Sequence, residues 1–468
     1  MRVLFKTFAL ATFALPLSSC VTSRVSEPEL PIELSENYSV TSQDSNMPAR
    51  WWKSFGDEEL NALIEEALSG NLGLRQAAAR LEQAEALARQ AGAERIPAVS
   101  AEASARRGRV AANTPAGVQI TDTVNRFGLD LAATYELDLW GRVAASTRAA
   151  ARDADASRLD LETAAMTLVA QVADLWYALG ALSAQIELLD EQIEKSSKQL
   201  ELVELRFNTG HSDALAVWQQ RGQLAALEAL RPNLTSSRAT VRHQLAVLLG
   251  RSPQALRNQQ GTAPPELPPL PETGIPSDLV NNRPDVRAAV ERLRASDERV
   301  AAAVANRFPA LRLSASAGYS ADEMSALFDN WIWNIAGNLL TPIIDGGRRR
   351  AEVDRARAAL DELVGRYAET LLNAVREVED ALVEESGQLD LIESQQGQLA
   401  IAGSTYDQAL SRYTKGVGDY LAVLRAFEER QRIERALVDT RRGLVSRRIG
   451  LHRALGGDFS SEAMAVDE

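Results

Sequence analysis

Two stretches of the chain nearly repeat each other: Arg206-Phe-Asn-Thr-Gly-His-Ser-Asp-Ala-Leu-Ala-Val217 and Arg412-Tyr-Thr-Lys-Gly-Val-Gly-Asp-Tyr-Leu-Ala-Val423. Six of the twelve aligned positions are identical, and the offset between the copies is 206 residues. The same offset pairs Gly141-Arg142 with Gly347-Arg348, and Leu249-Gly250 with Leu455-Gly456. Because low complexity alone does not explain matched Gly and Asp positions, the sequence predicts an internally duplicated chain.

Each copy is predicted to contain the same elements in the same order. A helix, over about 72–95 or 285–307, ends before Pro97 or Pro309. Strands follow over about 97–137 and 309–340, and then very long helices from 142 to about 207 and from 348 to about 413. Each long helix would measure on the order of 100 Å at 1.5 Å per residue. Return helices over about 213–249 and 419–455 are expected to begin at Asp213 and Asp419, acting as N-caps.

Apolar residues in the long helices recur at alternating spacings of four and three residues, which predicts coiled-coil packing. In the first helix they are Leu175, Leu179, Leu182, Ile186, Leu189 and Ile193. In the second they are Val375, Val378, Leu382, Leu389, Ile392 and Leu399, with gaps at Glu385 and Gln396.

The predicted strands alternate apolar and polar residues. A half-buried soluble sheet and a membrane barrel produce the same alternation, so the pattern alone favours neither. Four strands cannot close a barrel, however, and open strand edges are prohibitive in lipid. A membrane sheet would therefore require more than one chain. Three chains would supply twelve strands around a hollow lumen, although the pattern does not fix the number three.

The N-terminus has the pattern of a secretory signal peptide over residues 1–19, with Arg2 and Lys6 before a short apolar stretch. Leu17-Ser-Ser-Cys20 resembles the lipobox of bacterial lipoproteins, and Cys20 is the only cysteine. We therefore expect lipid attachment at Cys20 and no disulfide. Val21, in place of an aspartate, favours the outer membrane. No run of 18 apolar residues follows residue 20, so no transmembrane helix is expected.

Composition and motifs exclude several other classes of protein. The formal net charge of −13 argues against nucleic acid as a partner. The three histidines have no metal-ligand spacing, and no phosphate-binding loop or nucleophile–base arrangement is present. We expect no enzyme activity, no catalytic residue, no metal and no cofactor. The basic runs at 348–350 and 447–448 lie beside carboxylates and are expected to be solvated.

The predicted fold is mainly α-helical with a four-stranded transmembrane β contribution. Three copies would form a 12-stranded β-barrel and a long α-helical coiled-coil barrel. The expected order along the chain is a signal peptide (1–19), a lipidated arm (20–56), repeat 1 (57–250), a Pro-rich connector (251–282), repeat 2 (283–456) and a flexible acidic tail (457–468).

Four motifs and this duplicated plan resemble the outer membrane factor family, the TolC-type ducts, over nearly the whole mature chain. The motifs are Tyr135-Glu-Leu-Asp-Leu-Trp-Gly-Arg142, Asn282-Arg-Pro-Asp285, Pro342-Ile-Ile-Asp-Gly-Gly-Arg348 and Arg412-Tyr-Thr-Lys-Gly416. The lipobox points to the lipoprotein, NodT-like branch that serves resistance-nodulation-division pumps. The resemblance implies a homotrimer with a barrel in outer-membrane lipid and a helical tunnel in the periplasm. It would dock on a periplasmic adaptor protein joined to an inner-membrane pump, and export small molecules such as drugs.

The resemblance also implies roles for residues in the two repeated turns. The adaptor-facing tips would include Arg206, Gly210, Arg412 and Gly416. The aperture would be lined by Asp213, Leu215, Asp419, Leu421, Arg425 and Glu428. Family members usually carry an acidic residue one helical turn after Leu421, where this chain has Arg425. Either Arg–carboxylate contacts hold the aperture and salt loosens it, or Arg425 is a solvated surface residue with no gating role.

Two other functions share much of this pattern. One is an outer-membrane duct for type I protein secretion, which has the same expected fold. The other is a structural periplasmic lipoprotein that acts as a coiled-coil spacer without a pore.

Overall fold

The computed structural model describes residues 37–38, 50–113, 119–271, 273–457 and 459. The chain divides into two compact units, which we call the strand unit and the helical unit. The strand unit contains Gln90–Ala149 and Ala295–Asp361, and the helical unit takes in the described parts of Pro31–Arg89, Ala150–Arg294 and Glu362–Glu468. The signal peptide, Cys20, most of the arm and most of the tail lie outside the described residues.

The strand unit contains one antiparallel sheet in the order β1-β2-β3-β4. Its strands are β1 (Ala98–Asn113), β2 (Gln119–Leu137), β3 (Ala310–Ala321) and β4 (Trp331–Leu340). β1 and β2 have 16 and 19 residues and lie within the predicted range of about 97–137. Because β3 ends at Ala321, opposite Phe127, the β1–β2 ribbon continues past the other two strands.

The register gives the sheet one apolar face. Directly paired residues point to the same side of a sheet. The residues of this face are Val99, Ala101, Ala103, Ala105, Phe127, Leu129, Leu131, Ala133, Tyr135, Leu311, Leu313, Ala315, Ala317, Tyr319, Trp331, Trp333, Ile335 and Leu339. The opposite face carries mainly Ser, Thr, Asn, Gly and charged residues, and its larger apolar residues include Val110, Val124, Ile332 and Leu340.

Two of the quoted motifs are the turns that join strands to long helices. Asp138 caps the first long helix, because its carboxylate accepts bonds from the amides of Val143 (3.1 Å) and Ala144 (2.7 Å). Trp140 stacks on Phe308 at 4.9 Å between ring centres. In the second motif, Asp345 accepts a bond from the amide of Gly347 (3.0 Å). The motifs therefore fix where the helices begin.

The helices follow the predicted order with one break. α1 (Glu58–Gly70), α2 (Leu72–Ala93) and α3 (Arg142–Asn208) are followed by α4 (Ala214–Glu228) and α5 (Arg231–Leu248). The second half contains α6 (Leu279–Asn282), α7 (Pro284–Ala305), α8 (Arg348–Thr414) and α9 (Tyr420–Leu455). The prediction of a single helix over 213–249 was wrong. A new helix begins at Arg231 with Pro232 as its second residue, since proline cannot donate the bond that an uninterrupted helix needs. α9 has Val438 at the equivalent position and is continuous.

Residues before α1 and after α9 belong to the core of the helical unit. Trp51–Phe55 forms a 3-10 helix, and Trp51 is 1% exposed. The Trp51 ring stacks on His452 of α9, with ring centres 4.8 Å apart. Phe459, expected to lie in a flexible tail, is buried and packs near Trp52. The expectation of a flexible tail was therefore wrong at Phe459, because its buried ring packs in the core.

Buried polar groups occupy positions that the heptad pattern left as gaps or as surface. Glu385, a gap in the predicted seam of α8, forms an ion pair with Arg448 of α9, and the two side chains are 3% and 4% exposed. Arg448 also donates to the carbonyls of Pro268 (2.7 Å) and Pro269 (3.0 Å) in the connector. The expectation that Arg448 is solvated was wrong, whereas its neighbour Arg447 pairs at the surface with Glu384.

One helix among the described residues is apolar enough, by length and composition, to cross a membrane. It is α3, with an 18-residue stretch of mean hydropathy 1.3. In the structure, 72% of that stretch is buried inside the protein, as in a core helix.

Candidate functional site: the paired helical turns

The turns that follow α3 and α8 have the same backbone geometry. Gly210 and Gly416 have φ angles of +73° and +75°, which favour glycine. The amide of Gly210 donates to the carbonyl of Phe207, and that of His211 to the carbonyl of Arg206. Gly416 and Val417 repeat these two bonds with Tyr413 and Arg412. Both long helices therefore end in a Schellman motif that satisfies their last carbonyls.

Each return helix begins at the predicted N-cap. The Asp213 carboxylate accepts a bond from the amide of Ala216 (2.9 Å), and Asp419 accepts one from Leu421 (3.1 Å). These contacts explain the Gly-x-x-Asp spacing shared by the copies: glycine ends one helix and aspartate begins the next.

The two turns contact each other through α3, α4, α8 and α9. The Arg206 guanidinium lies 4.6 Å from the centre of the Tyr413 ring, and its Nη1 donates to the Thr414 carbonyl (3.3 Å). The apolar contacts between the turns are made by Val203, Ala216, Val217, Tyr413, Tyr420, Val423 and Leu424. The ends of α3 and α8 and the first turns of α4 and α9 therefore share one small core.

A chain of hydrogen bonds crosses this core. The hydroxyl of Tyr420 donates to Oε1 of Gln220 (2.5 Å), and Nε2 of Gln220 donates to the Ser196 carbonyl (2.8 Å). Burial raises the pKa of the Tyr420 hydroxyl, which keeps it a neutral donor. Tyr413 makes a second, longer contact with Ser212 (3.2 Å). The chain connects α9 to α3 by way of α4.

The predicted aperture residues differ in exposure within one chain. Leu215 is 61% exposed, and Leu421 and Glu428 are half-buried. Arg425 is exposed, and within the part of the chain that the structure describes it forms no ion pair with Asp419 or Glu428. Of the predicted tip residues, Gly210, Arg412 and Gly416 are exposed, whereas Arg206 is engaged with the other turn.

Tyr420, Gln220 and Ser196 were not among the residues predicted from the sequence. Comparison of the two similar stretches could have singled out Tyr420, because the first stretch has Ala214 at the aligned position. A large aromatic residue at an otherwise matched position indicates a contact present in only one copy.

A metal centre is recognised by the grouping of its possible ligand side chains. Over residues 50–113, 119–271 and 273–457, no group of three or more His, Cys, Asp or Glu residues is arranged to hold a metal ion. The turns contain capping carboxylates, neutral hydrogen bonds and aromatic contacts, which can hold two helix ends together or let them separate.

Comparisons with known proteins agree with this architecture. The family model described as outer membrane efflux protein matches residues 63–251 and 275–457. The pyoverdine export outer membrane protein OpmQ of Pseudomonas aeruginosa is 34% identical over 429 residues, 90% of each chain. Outer membrane protein OprJ of the same organism is 33% identical over 421 residues, 87% of this chain and 86% of OprJ. The solved structure of the outer-membrane channel OprN has a TM-score of 0.86 at 29% identity, covering 92% of this chain and 98% of OprN.

The class is thus a transport duct of the outer membrane. The chain belongs to the outer membrane efflux protein family, and it serves as an exit channel for efflux.

Proposed function

We propose that three copies of this chain form the exit duct of a tripartite efflux pump. The strand units would close a 12-stranded β-barrel, and the duplicated long helices would form the wall of an α-helical barrel. The main support for this proposal is the four-stranded sheet. It has two open edges, β1 and β4, and its apolar face bears large exposed side chains such as Trp331 and Ile335.

In lipid, a sheet with two open edges would have to assemble with other chains. Unpaired backbone N–H and C=O groups at a strand edge cost several kcal/mol each in hydrocarbon. Pairing β1 of one copy with β4 of the next would remove every edge, and symmetric closure by three copies supplies a hollow lumen. The apolar face would then contact lipid and the polar face would contact water.

The duplicated plan supports the same assembly. Each half of the chain contributes two strands, a long helix and one or two return helices. Three chains would then place six similar halves around one axis, with the paired turns at one end. This explains why both turns keep the same glycine and aspartate.

We propose that the paired turns form the periplasmic aperture. Asp213, Leu215, Asp419, Leu421, Arg425 and Glu428 would line it, and Arg206, Gly210, Arg412 and Gly416 would lie at the tips that meet an adaptor protein. The exposure of Gly210, Arg412 and Gly416 supports contact with a partner. Arg206, which is stacked on Tyr413, would support the tip from inside.

We also propose the cargo, partners and anchor. The relative OpmQ is named for pyoverdine export, which favours small molecules as cargo over secreted proteins. A periplasmic adaptor and an inner-membrane resistance-nodulation-division pump would supply coupling and energy. Acyl chains on Cys20 would add an anchor in the outer membrane.

A pair of matched double variants tests the barrel. Ala315→Arg with Ala317→Arg places two charges on the apolar face of β3, where each would cost about 2–4 kcal/mol at the bilayer midplane. We expect loss of trimers and of single-channel conductance in planar bilayers. Ser314→Arg with Ser316→Arg adds the same charge to the polar face and should leave both intact. A wild-type protein that is monomeric in detergent and does not conduct would overturn the proposal, as would equal behaviour of the two variants.

A further inference from the structure

Four arginines lie where the β1–β2 ribbon continues beyond β3 and β4. They are Arg106, Arg107, Arg109 and Arg126, and all four side chains are exposed. In the described part of the strand unit none of them forms an ion pair with a carboxylate. This end of the ribbon therefore presents unneutralised positive charge.

The register divides these arginines between the two faces. Arg106 pairs directly with Arg126, and both follow Ser104 and Gly128 on the polar face. Arg107 and Arg109 pair with Asn125 and Thr123, and they continue the apolar face beyond Ala105. One apolar face thus ends in two cations.

Aromatic residues precede these cations on the same face. Tyr319 pairs with Trp331, and both lie level with Leu129 and Ala103. Arg107 lies four residues farther along β1, about 13 Å at 3.3 Å per residue. Aromatic residues followed by cations form the order of side chains found where a barrel leaves the hydrocarbon for the headgroups.

The surroundings of Arg107 and Arg109 favour an anion. Nη2 of Arg109 donates to Oγ1 of Thr121 (3.2 Å), which orients the guanidinium across the ribbon while leaving its other donors unused by carboxylates. Asp122 pairs with Val110, on the opposite face of the ribbon. The partner that suits two guanidinium groups beside an apolar surface is a phosphate group on a lipid.

We propose that Arg107 and Arg109 bind the phosphate groups of lipid headgroups in the outer leaflet. This inference rests on the proposed barrel, because only a sheet with its apolar face in lipid brings these two residues to the headgroup level. Arg106 and Arg126 would face the lumen instead and would not contact lipid.

The two faces supply a matched experiment. The double variants Arg107→Gln with Arg109→Gln and Arg106→Gln with Arg126→Gln each remove two charges from the same ribbon. Binding of bisphosphorylated lipid A to the detergent-solubilised protein would be measured by native mass spectrometry, with phosphate-free lipid A as the control lipid. We expect the first variant to bind bisphosphorylated lipid A about tenfold more weakly than wild type. The second variant should bind it like wild type.

Three results would overturn the inference: equal loss in both variants, no loss in either, or equal binding of the phosphate-free lipid by wild type. Equal loss would indicate charge attraction without a preferred face. Conductance of the same preparations separates this inference from the proposed function. Conducting trimers without face-specific binding reject the lipid site alone, whereas a protein that forms no pore rejects the barrel.

Discussion

Arg448 of α9 and Glu385 of α8 form an ion pair in the interior of the helical unit, and the connector closes over it through the carbonyls of Pro268 and Pro269. An ion pair withdrawn from water depends on both partners, because removing one leaves an uncompensated charge.

Glu385→Gln should therefore destabilise the protein by about 3–5 kcal/mol. The adjacent variant Glu384→Gln removes a surface pair with Arg447 and should cost about 0–1 kcal/mol. Thermal unfolding monitored by circular dichroism compares the melting temperatures of the two variants directly. Similar melting temperatures would contradict a structural role for the buried pair.

His452 should make stability depend on pH. Burial, and secondly the nearby Arg448 cation, lower its pKa from 6.5 to about 3. The folded state then binds fewer protons than the unfolded state between these values, so stability is full above about pH 6.5 and falls as the pH drops towards 3. At pH 5 the loss would be about 2 kcal/mol. His452→Phe should flatten the fall in melting temperature between pH 7.5 and pH 5, and an unchanged pH profile in this variant would contradict the prediction.

Gly180 is expected to tolerate no side chain. A Cβ there would lie 1.8 Å from the Thr262 carbonyl oxygen, so the connector would have to leave its place on α3. Gly180→Ala should lower the melting temperature by several degrees, through a loss of more than about 2 kcal/mol. Gly222 of α4 has open space around it, and Gly222→Ala should stabilise the helix by up to about 1 kcal/mol. If both variants melt alike, the close approach at Gly180 is not required.

Tyr420→Phe tests the link between the paired turns. It keeps the ring but leaves Oε1 of buried Gln220 without its donor, a local cost of about 1–3 kcal/mol. If the turns form the aperture, the variant should conduct more than wild type in planar bilayers. Tyr413→Phe removes only the longer contact with half-buried Ser212 and should have a smaller effect. Unchanged conductance in Tyr420→Phe would argue against an aperture at this position.

The conductance of the proposed aperture should depend on salt through Arg425. Since Arg425 has no carboxylate partner among the described residues of its own chain, its partners in a trimer would come from neighbouring copies. Such exposed contacts weaken as the ionic strength rises. We expect conductance, corrected for bulk conductivity, to rise with salt in wild type and much less in Arg425→Gln. Corrected conductance that does not change with salt in wild type would support a solvated Arg425 without a gating role.

The elements could be predicted from the sequence because local signals define them. Pro97, Gly210 and Gly416 mark breaks, and aspartates at 213 and 419 mark starts, so α3 and α8 end within one residue of prediction. Pro232 is an equally local sign of a helix break. The apolar pattern continues on both sides of it, however, so the break between α4 and α5 was not predicted.

The polar contacts could not be predicted in this way, since their partners lie far apart along the chain. Glu385 is 63 residues from Arg448, and Tyr420 is 200 residues from Gln220. A heptad pattern registers only apolar positions, so a buried glutamate reads as a gap and a buried arginine as surface. Pairs of this kind require knowledge of which helices are neighbours.

The stacking of Trp51 on His452 joins residues near the two ends of the polypeptide. The two residues are 401 positions apart along the chain, so the aromatic cluster cannot form until α9 is available. Closing so large a loop is entropically costly and slow. We therefore expect the residues before α1 to reach their final packing late in folding, after α9 has formed.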